Sequence, residues 1–121
     1  MSIAKRLLIL ERQRQIPAHF SWIDHRLVRE HTIEKADVGA WALYLFLVTV
    51  ADAQGLSYYG EASLMRRLRL TGERLALARR DLIELDLIAY DRPLYQVLSW
   101  PESVPVATRF ARLHAILDGR S

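Results

Sequence analysis

Residues 58–98 read YYGEASLMRRLRLTGERLALARRDLIELDLIAYDRPLYQVL. After Gly60, the apolar residues Leu64, Met65 and Leu68 recur at helical spacing, which predicts a helix over 61–69. Thr71 then stands where a side-chain oxygen accepts an N–H from the first turn of a following helix. Leu75, Ala78 and Leu82 are spaced by three and four and give that second helix one inward face. Beyond it, Leu87–Asp91 and Leu94–Ser99 carry alternating apolar positions on either side of Arg92-Pro93, which predicts two strands and a short turn. The order is helix, tight turn, helix, hairpin.

Working back from this stretch, Leu56–Tyr59 is a short strand between Gly55 and Gly60. Upstream, Val38 to Ala53 is almost wholly apolar, with Trp41, Leu43, Tyr44, Phe46, Leu47 and Val50. Such a helix is expected to be buried on most sides, capped by Asp37 and ended by Gly55. In the segment FSWIDHRLVR (20–29), Phe20, Trp22, Ile23, Leu27 and Val28 supply apolar mass, read as a packed extended piece followed by a turn of helix. The tryptophans at 22, 41 and 100 and the tyrosines at 58 and 59 are expected in the core.

At the N-terminus, Ile3, Leu7 and Leu10 share helical spacing among Lys5, Arg6, Arg12 and Arg14, so a short amphipathic helix is expected, stopped by Pro17. At the other end, Pro105 suits a first helical position. Val106, Phe110, Leu113 and Leu117 then form one stripe of a final helix. The resulting division is an arm over 1–19, a domain over 20–99 and a C-terminal helix over 100–121 that offers a surface for dimerisation.

At 121 residues, 51% of them apolar, the chain suits one domain with a real core. It has no cysteine, which removes disulfides and thiolate metal sites and agrees with a cytoplasmic protein. The apolar runs at 7–10 and 40–51 are too short to span a bilayer. The net charge is +3. Between Glu61 and Arg80 stand six arginines (66, 67, 69, 74, 79 and 80) against Glu61 and Glu73. Fifteen of the 17 lysine and arginine residues are arginine, which favours forked contacts to phosphate and guanine. A GC-rich genome would produce the same bias.

The pattern strand, LxxxLxLT, capped helix, DLIELDLI, strand, strand resembles winged helix-turn-helix DNA-binding domains. A longer resemblance, over 20–98, is to the N-terminal domains of phage and plasmid replisome organisers. There, a segment similar to FSWIDHRLV precedes a helix similar to ALYLFLVTVADAQG and an aromatic strand similar to LSYY. Small helix-turn-helix proteins of bacterial mobile elements are also similar. The resemblance implies a mainly α fold with a small β-wing and extra N- and C-terminal helices. It also implies a double-stranded-DNA-binding protein, acting as a homodimer in replication, transposition or transcription of a mobile element such as a plasmid. Two features depart from the pattern, the turn residue and the recognition helix. Arg69 occupies a turn position where the family usually has glycine, so Gly72 is expected to absorb some of that geometry. The outward start of the second helix offers Ala76 and Leu77, which donate no hydrogen bond to a base.

The expected DNA-binding residues are Arg66, Arg67, Arg69, Thr71, Arg74, Arg80 and Arg92. Arg74 and Arg80 are placed to enter a groove, Arg66, Arg67 and Arg69 to neutralise phosphates, and Arg92 to act from the wing. Pairing of arginines with Glu73, Asp81 and Glu84 along the helix is the competing surface reading. The alternative function is a protein-interaction module without direct base readout, using Leu77 and the terminal helices. Catalysis is not expected. His19, His25 and His31 are spaced by six, which does not place ligands on one helical face, and neither a GxxxxGK[ST] nor a GxSxG motif occurs. No metal or cofactor is expected.

Overall fold

The computed structural model describes residues 4–101. The predicted C-terminal helix over Val106–Leu117 lies outside the described residues. The chain runs through α1 (Arg26–Arg29), α2 (Val38–Val50), β1 (Leu56–Tyr58), α3 (Glu61–Leu68), α4 (Gly72–Glu84), β2 (Ile88–Asp91) and β3 (Leu94–Val97), with 3-10 turns at Leu10–Arg12 and Thr32–Lys35. The result is mainly helical with a three-stranded antiparallel sheet, and its element order is compatible with a helix-turn-helix followed by a wing.

β3 is the central strand. It pairs with β2 through Tyr90–Tyr95 and Asp91–Leu94, and with β1 through Ser57–Tyr95 and Tyr58–Leu94. The core lies between α2, α4 and this sheet. Leu43 and Leu47 of α2, Leu64 of α3, Leu75 and Leu82 of α4, and Tyr95 of β3 are all fully buried. The stripe Leu75, Ala78, Leu82 is the inward face of α4, as its spacing predicts.

Two caps fix where the helices begin. Asp37 accepts the Ala40 N–H at 3.1 Å, and the Thr71 hydroxyl accepts the Arg74 N–H at 3.2 Å. α2 ends at Val50, before Ala53, and Gly55 is not its terminator. Asp52 starts a separate turn, its Oδ1 accepting the N–H groups of Gln54 and Leu56 at 2.8 and 2.9 Å. Gly55 sits in that turn with φ +87°, and a Cβ there would stand 2.6 Å from the Val97 carbonyl oxygen. Glycine is therefore required twice over, by conformation and by the approach of β3.

Three expectations of burial are corrected. Phe20 is 65% exposed and Trp22 75%, so the segment before α1 is not packed as its composition suggested. Tyr58, at the end of the edge strand β1, is exposed, whereas Trp100 is buried. α2 turns Val38 and Leu45 to solvent despite its near-uniform apolarity, because its outward side meets no neighbouring layer among the described residues. Among the described residues, the N-terminal helix reduces to the single 3-10 turn Leu10–Arg12, which has no side-chain cap and no buried residue. A short helix is marginal in water unless its apolar face is covered, and Leu7, Leu8 and Leu10 are exposed here.

Candidate nucleic-acid interface

The turn between α3 and α4 consists of Arg69, Leu70 and Thr71. Arg69 ends α3 in the left-handed region, φ 57° and ψ 44°, while the N–H groups of Arg69 and Leu70 both reach back to the Met65 carbonyl. This is the bond pattern of a helix stop that glycine usually serves. Gly72 does not share the geometry: it is the first residue of α4, and its φ is not positive. The strain expected at this turn is carried by Arg69 itself. Holding an L-residue in this region costs about 1 kcal/mol.

Around the turn, Arg66 and Arg67 occupy the last turn of α3, and Arg74 the first turn of α4. Together with Arg69 and Thr71 they are exposed. Among the described residues, Arg66, Arg67, Arg69 and Arg74 have no ion-pair partner. Four guanidinium groups thus bracket one tight turn within nine residues. The Thr71 hydroxyl is engaged as the α4 cap, so its part in the interface is to set where α4 starts.

Two of the six arginines in this stretch differ from the rest. Arg80 is exposed but leans on Asp81 at 3.2 Å and Glu84 at 3.8 Å. Such pairs at the surface contribute little and exchange readily for another anion. Arg79 is turned inward. Its Nε donates to the Tyr95 hydroxyl at 3.0 Å, its Nη2 pairs with Glu61, and its guanidinium lies 4.4 Å from the centre of the Tyr90 ring. Burial pushes the Tyr95 hydroxyl up to about 12, against the opposing pull of the Arg79 hydrogen bond. Arg79 therefore ties α4 to the start of α3 and to the hairpin. Residue spacing gave no sign of this, since its partners lie sixteen and eighteen positions away.

Arg92 lies at the tip of the β2–β3 hairpin, exposed and, among the described residues, without an ion-pair partner. Its neighbour Pro93 accepts the Tyr59 N–H at 3.2 Å, which fixes the hairpin tip beside the entry to α3. The tip and the α3–α4 turn thus flank opposite ends of α3, an eight-residue helix about 12 Å long. The outward face of α4 is mixed: Glu73, Arg74, Ala76, Leu77, Arg80, Ile83 and Glu84 are all exposed.

Within the histidine-bearing segment, Asp24 and His31 are engaged in local contacts. Asp24 turns to Arg26, accepting its backbone N–H at 2.8 Å and its Nη2 at 2.8 Å. The side-chain hydrogen bond of Arg26, aided by its backbone N–H, holds the Asp24 carboxyl down to about 2. His31 lies 2.6 Å from Glu34. Among the described residues, no cluster of three histidine, cysteine or acidic side chains is placed to hold a metal, and no helix is long and apolar enough to cross a membrane.

No protein-family model matches the chain, and no curated protein or solved structure matches it either.

Proposed function

We propose that the chain is a winged helix-turn-helix protein that binds double-stranded DNA as a homodimer in the cytoplasm, without enzymatic activity. It would serve replication, transposition or transcription of a bacterial mobile element. The observation that carries this reading is the set of exposed guanidinium groups of Arg66, Arg67, Arg69 and Arg74, without an ion-pair partner among the described residues, around the exposed start of a capped helix. Arginine held in a strained turn where glycine would be relaxed adds to it, because strain is retained where the side chain has work that glycine cannot do.

In this mechanism α4 enters a major groove by its first turn. Arg74 is the residue nearest base edges, since it alone combines that position with a forked donor. Arg66, Arg67 and Arg69 neutralise phosphates beside the groove, and Arg92 neutralises one from the hairpin tip. Arg80 joins by exchanging Asp81 and Glu84 for phosphate. Each contact releases a condensed counterion, so affinity is dominated by salt-dependent backbone binding with modest sequence preference.

A second reading has an observation of its own. Leu77 and Ile83 on the outward side of α4 are each more than one-third exposed, which suits a protein partner better than a base edge. A duplex titration at two salt concentrations separates the two. DNA binding requires measurable affinity at low salt that falls steeply as salt rises. No binding at low salt overturns the DNA reading and leaves the interaction module.

A further inference from the structure

The segment before α1, the C-terminal half of α2 and the chain leaving β3 enclose an open groove of about 510 Å³. Its walls carry the rings of Phe20, Trp22, Tyr44 and Trp100 and the carboxylates of Asp24 and Asp52, and the described lining residues include no lysine, arginine or histidine. We infer that this groove binds a small organic cation, of the class in which an ammonium group carries apolar substituents. The inference stands apart from the DNA reading and needs no second copy of the chain.

The charges select the sign of the ligand. In a chain of net charge +3, this hollow has acids as its charged lining residues among those described. Asp24 is ionised, its carboxyl held down to about 2 by the hydrogen bonds of Arg26, and Arg26, which does not line the groove, offsets its charge. Asp52 has no such offset. Its Oδ1 accepts the N–H groups of Gln54 and Leu56 at 2.8 and 2.9 Å, which hold the carboxylate in place without neutralising it, and among the described residues it has no ion-pair partner. A neutral ligand lying over Asp52 would take an unpaired charge out of water, and an anion would be repelled. A cation avoids both costs.

The rings select the kind of cation. The face of an indole or phenyl ring attracts a positive charge within about 6 Å of its centre. The chain itself shows this pairing beside the groove: the Arg26 guanidinium lies 5.3 Å from the centre of the Trp100 ring while its Nη2 donates to Asp24 at 2.8 Å. Trp22 and Phe20, both largely exposed, offer the same chemistry with no cation over them among the described residues. A bare metal ion draws nothing from ring faces of this kind and needs more oxygen ligands than two carboxylates supply. An ammonium ion with apolar substituents uses both parts of the lining, laying its substituents on the rings and its charge toward Asp52. The groove volume falls in the range of about 300–1,000 Å³ usual for small-molecule sites.

Heteronuclear NMR on the full chain tests this, with choline as the probe and its neutral carbon isostere, dimethylbutanol, run in parallel at constant ionic strength. Choline is expected to move the indole signals of Trp22 and Trp100 and the backbone signals of Gln54 and Gly55. The indole of Trp41, which donates to the Ile33 and Ala36 carbonyls and does not line the groove, should stay in place. A dissociation constant of roughly a few millimolar is expected for so open a site, with the neutral isostere about ten-fold weaker or more. Asp52→Asn keeps an oxygen for the Gln54 and Leu56 N–H groups and should weaken choline about three- to five-fold. Trp22→Leu keeps apolar bulk, removes the ring face and should weaken it about three-fold or more. Equal binding of the neutral isostere, or unchanged choline binding in both variants, overturns the inference. So do signals that answer a lysine-bearing peptide but not choline, which would assign the groove to a protein partner, and signals that answer neither.

Discussion

The Nε of Arg79 donates to the hydroxyl of Tyr95 at 3.0 Å, and this bond joins the middle of α4 to the central strand of the sheet. Tyr95 is fully buried, and Tyr90 stacks against it with ring centres 4.5 Å apart. The same guanidinium also holds Glu61. One side chain thus fixes the relative placement of α3, α4 and the hairpin, the three parts that carry the proposed DNA contacts.

A loss of stability in alkali follows from the burial of Tyr95, which outweighs the opposing pull of the Arg79 bond. The Tyr95 hydroxyl is raised by burial to about 12, above the ordinary tyrosine value of 10. The folded state therefore keeps its proton where the unfolded chain has lost it. The contribution is fully present below about pH 10 and disappears as pH rises through about 12, amounting to roughly 2–3 kcal/mol. Urea unfolding followed by circular dichroism between pH 9 and 12 should show this decline. Tyr95→Phe should be about 1–2 kcal/mol less stable at neutral pH and show a shallower decline. Some slope should remain, because burial also raises the Tyr44 hydroxyl. An equal slope in the variant would separate alkaline unfolding from Tyr95.

Arg69→Gly should move stability and binding in opposite directions. Relieving φ 57° should raise unfolding free energy by about 0.5–1 kcal/mol, the glycine's extra freedom in the unfolded chain offsetting part of the gain. Duplex affinity should fall, with a salt slope lower by about one. Thermal melts and fluorescence anisotropy on the same preparation check both. A more stable variant with unchanged affinity would make Arg69 a strained residue without a role in binding.

Gly55→Ala should be strongly destabilising. The new Cβ would meet the Val97 oxygen at 2.6 Å in a conformation that L-residues avoid. A loss of about 2–3 kcal/mol is expected, or roughly 10 °C or more in Tm for a domain of this size. A shift of only a degree or two would mean that the β1 entry relaxes without cost.

Much of the scaffold was legible because its signals are local. Thr71 and Asp37 cap the helices they precede, and the Leu75, Ala78, Leu82 stripe needs only helical geometry. What could not be read depends on partners distant in sequence. Arg79 sits at the edge of the inward stripe of α4, and only the tyrosines of the hairpin decide that it turns in. Phe20 and Trp22 are as apolar as core residues, but hydrophobicity reports a tendency to be covered, not the presence of a cover. The N-terminal stripe fails for the same reason. At the α3–α4 turn, the sequence indicated that a left-handed residue was needed but gave its geometry partly to Gly72. The hydrogen bonds of Arg69 and Leu70 to Met65 put it on Arg69.

The most direct test is the salt dependence of duplex binding by the wild type and by the triple variant Arg66→Ala, Arg67→Ala, Arg74→Ala. All three side chains are exposed, so the fold should be retained. The account predicts weaker binding to every duplex sequence and a slope of log affinity against log salt reduced by about two to three. An unchanged affinity and slope would contradict it and remove DNA binding from this face of the molecule.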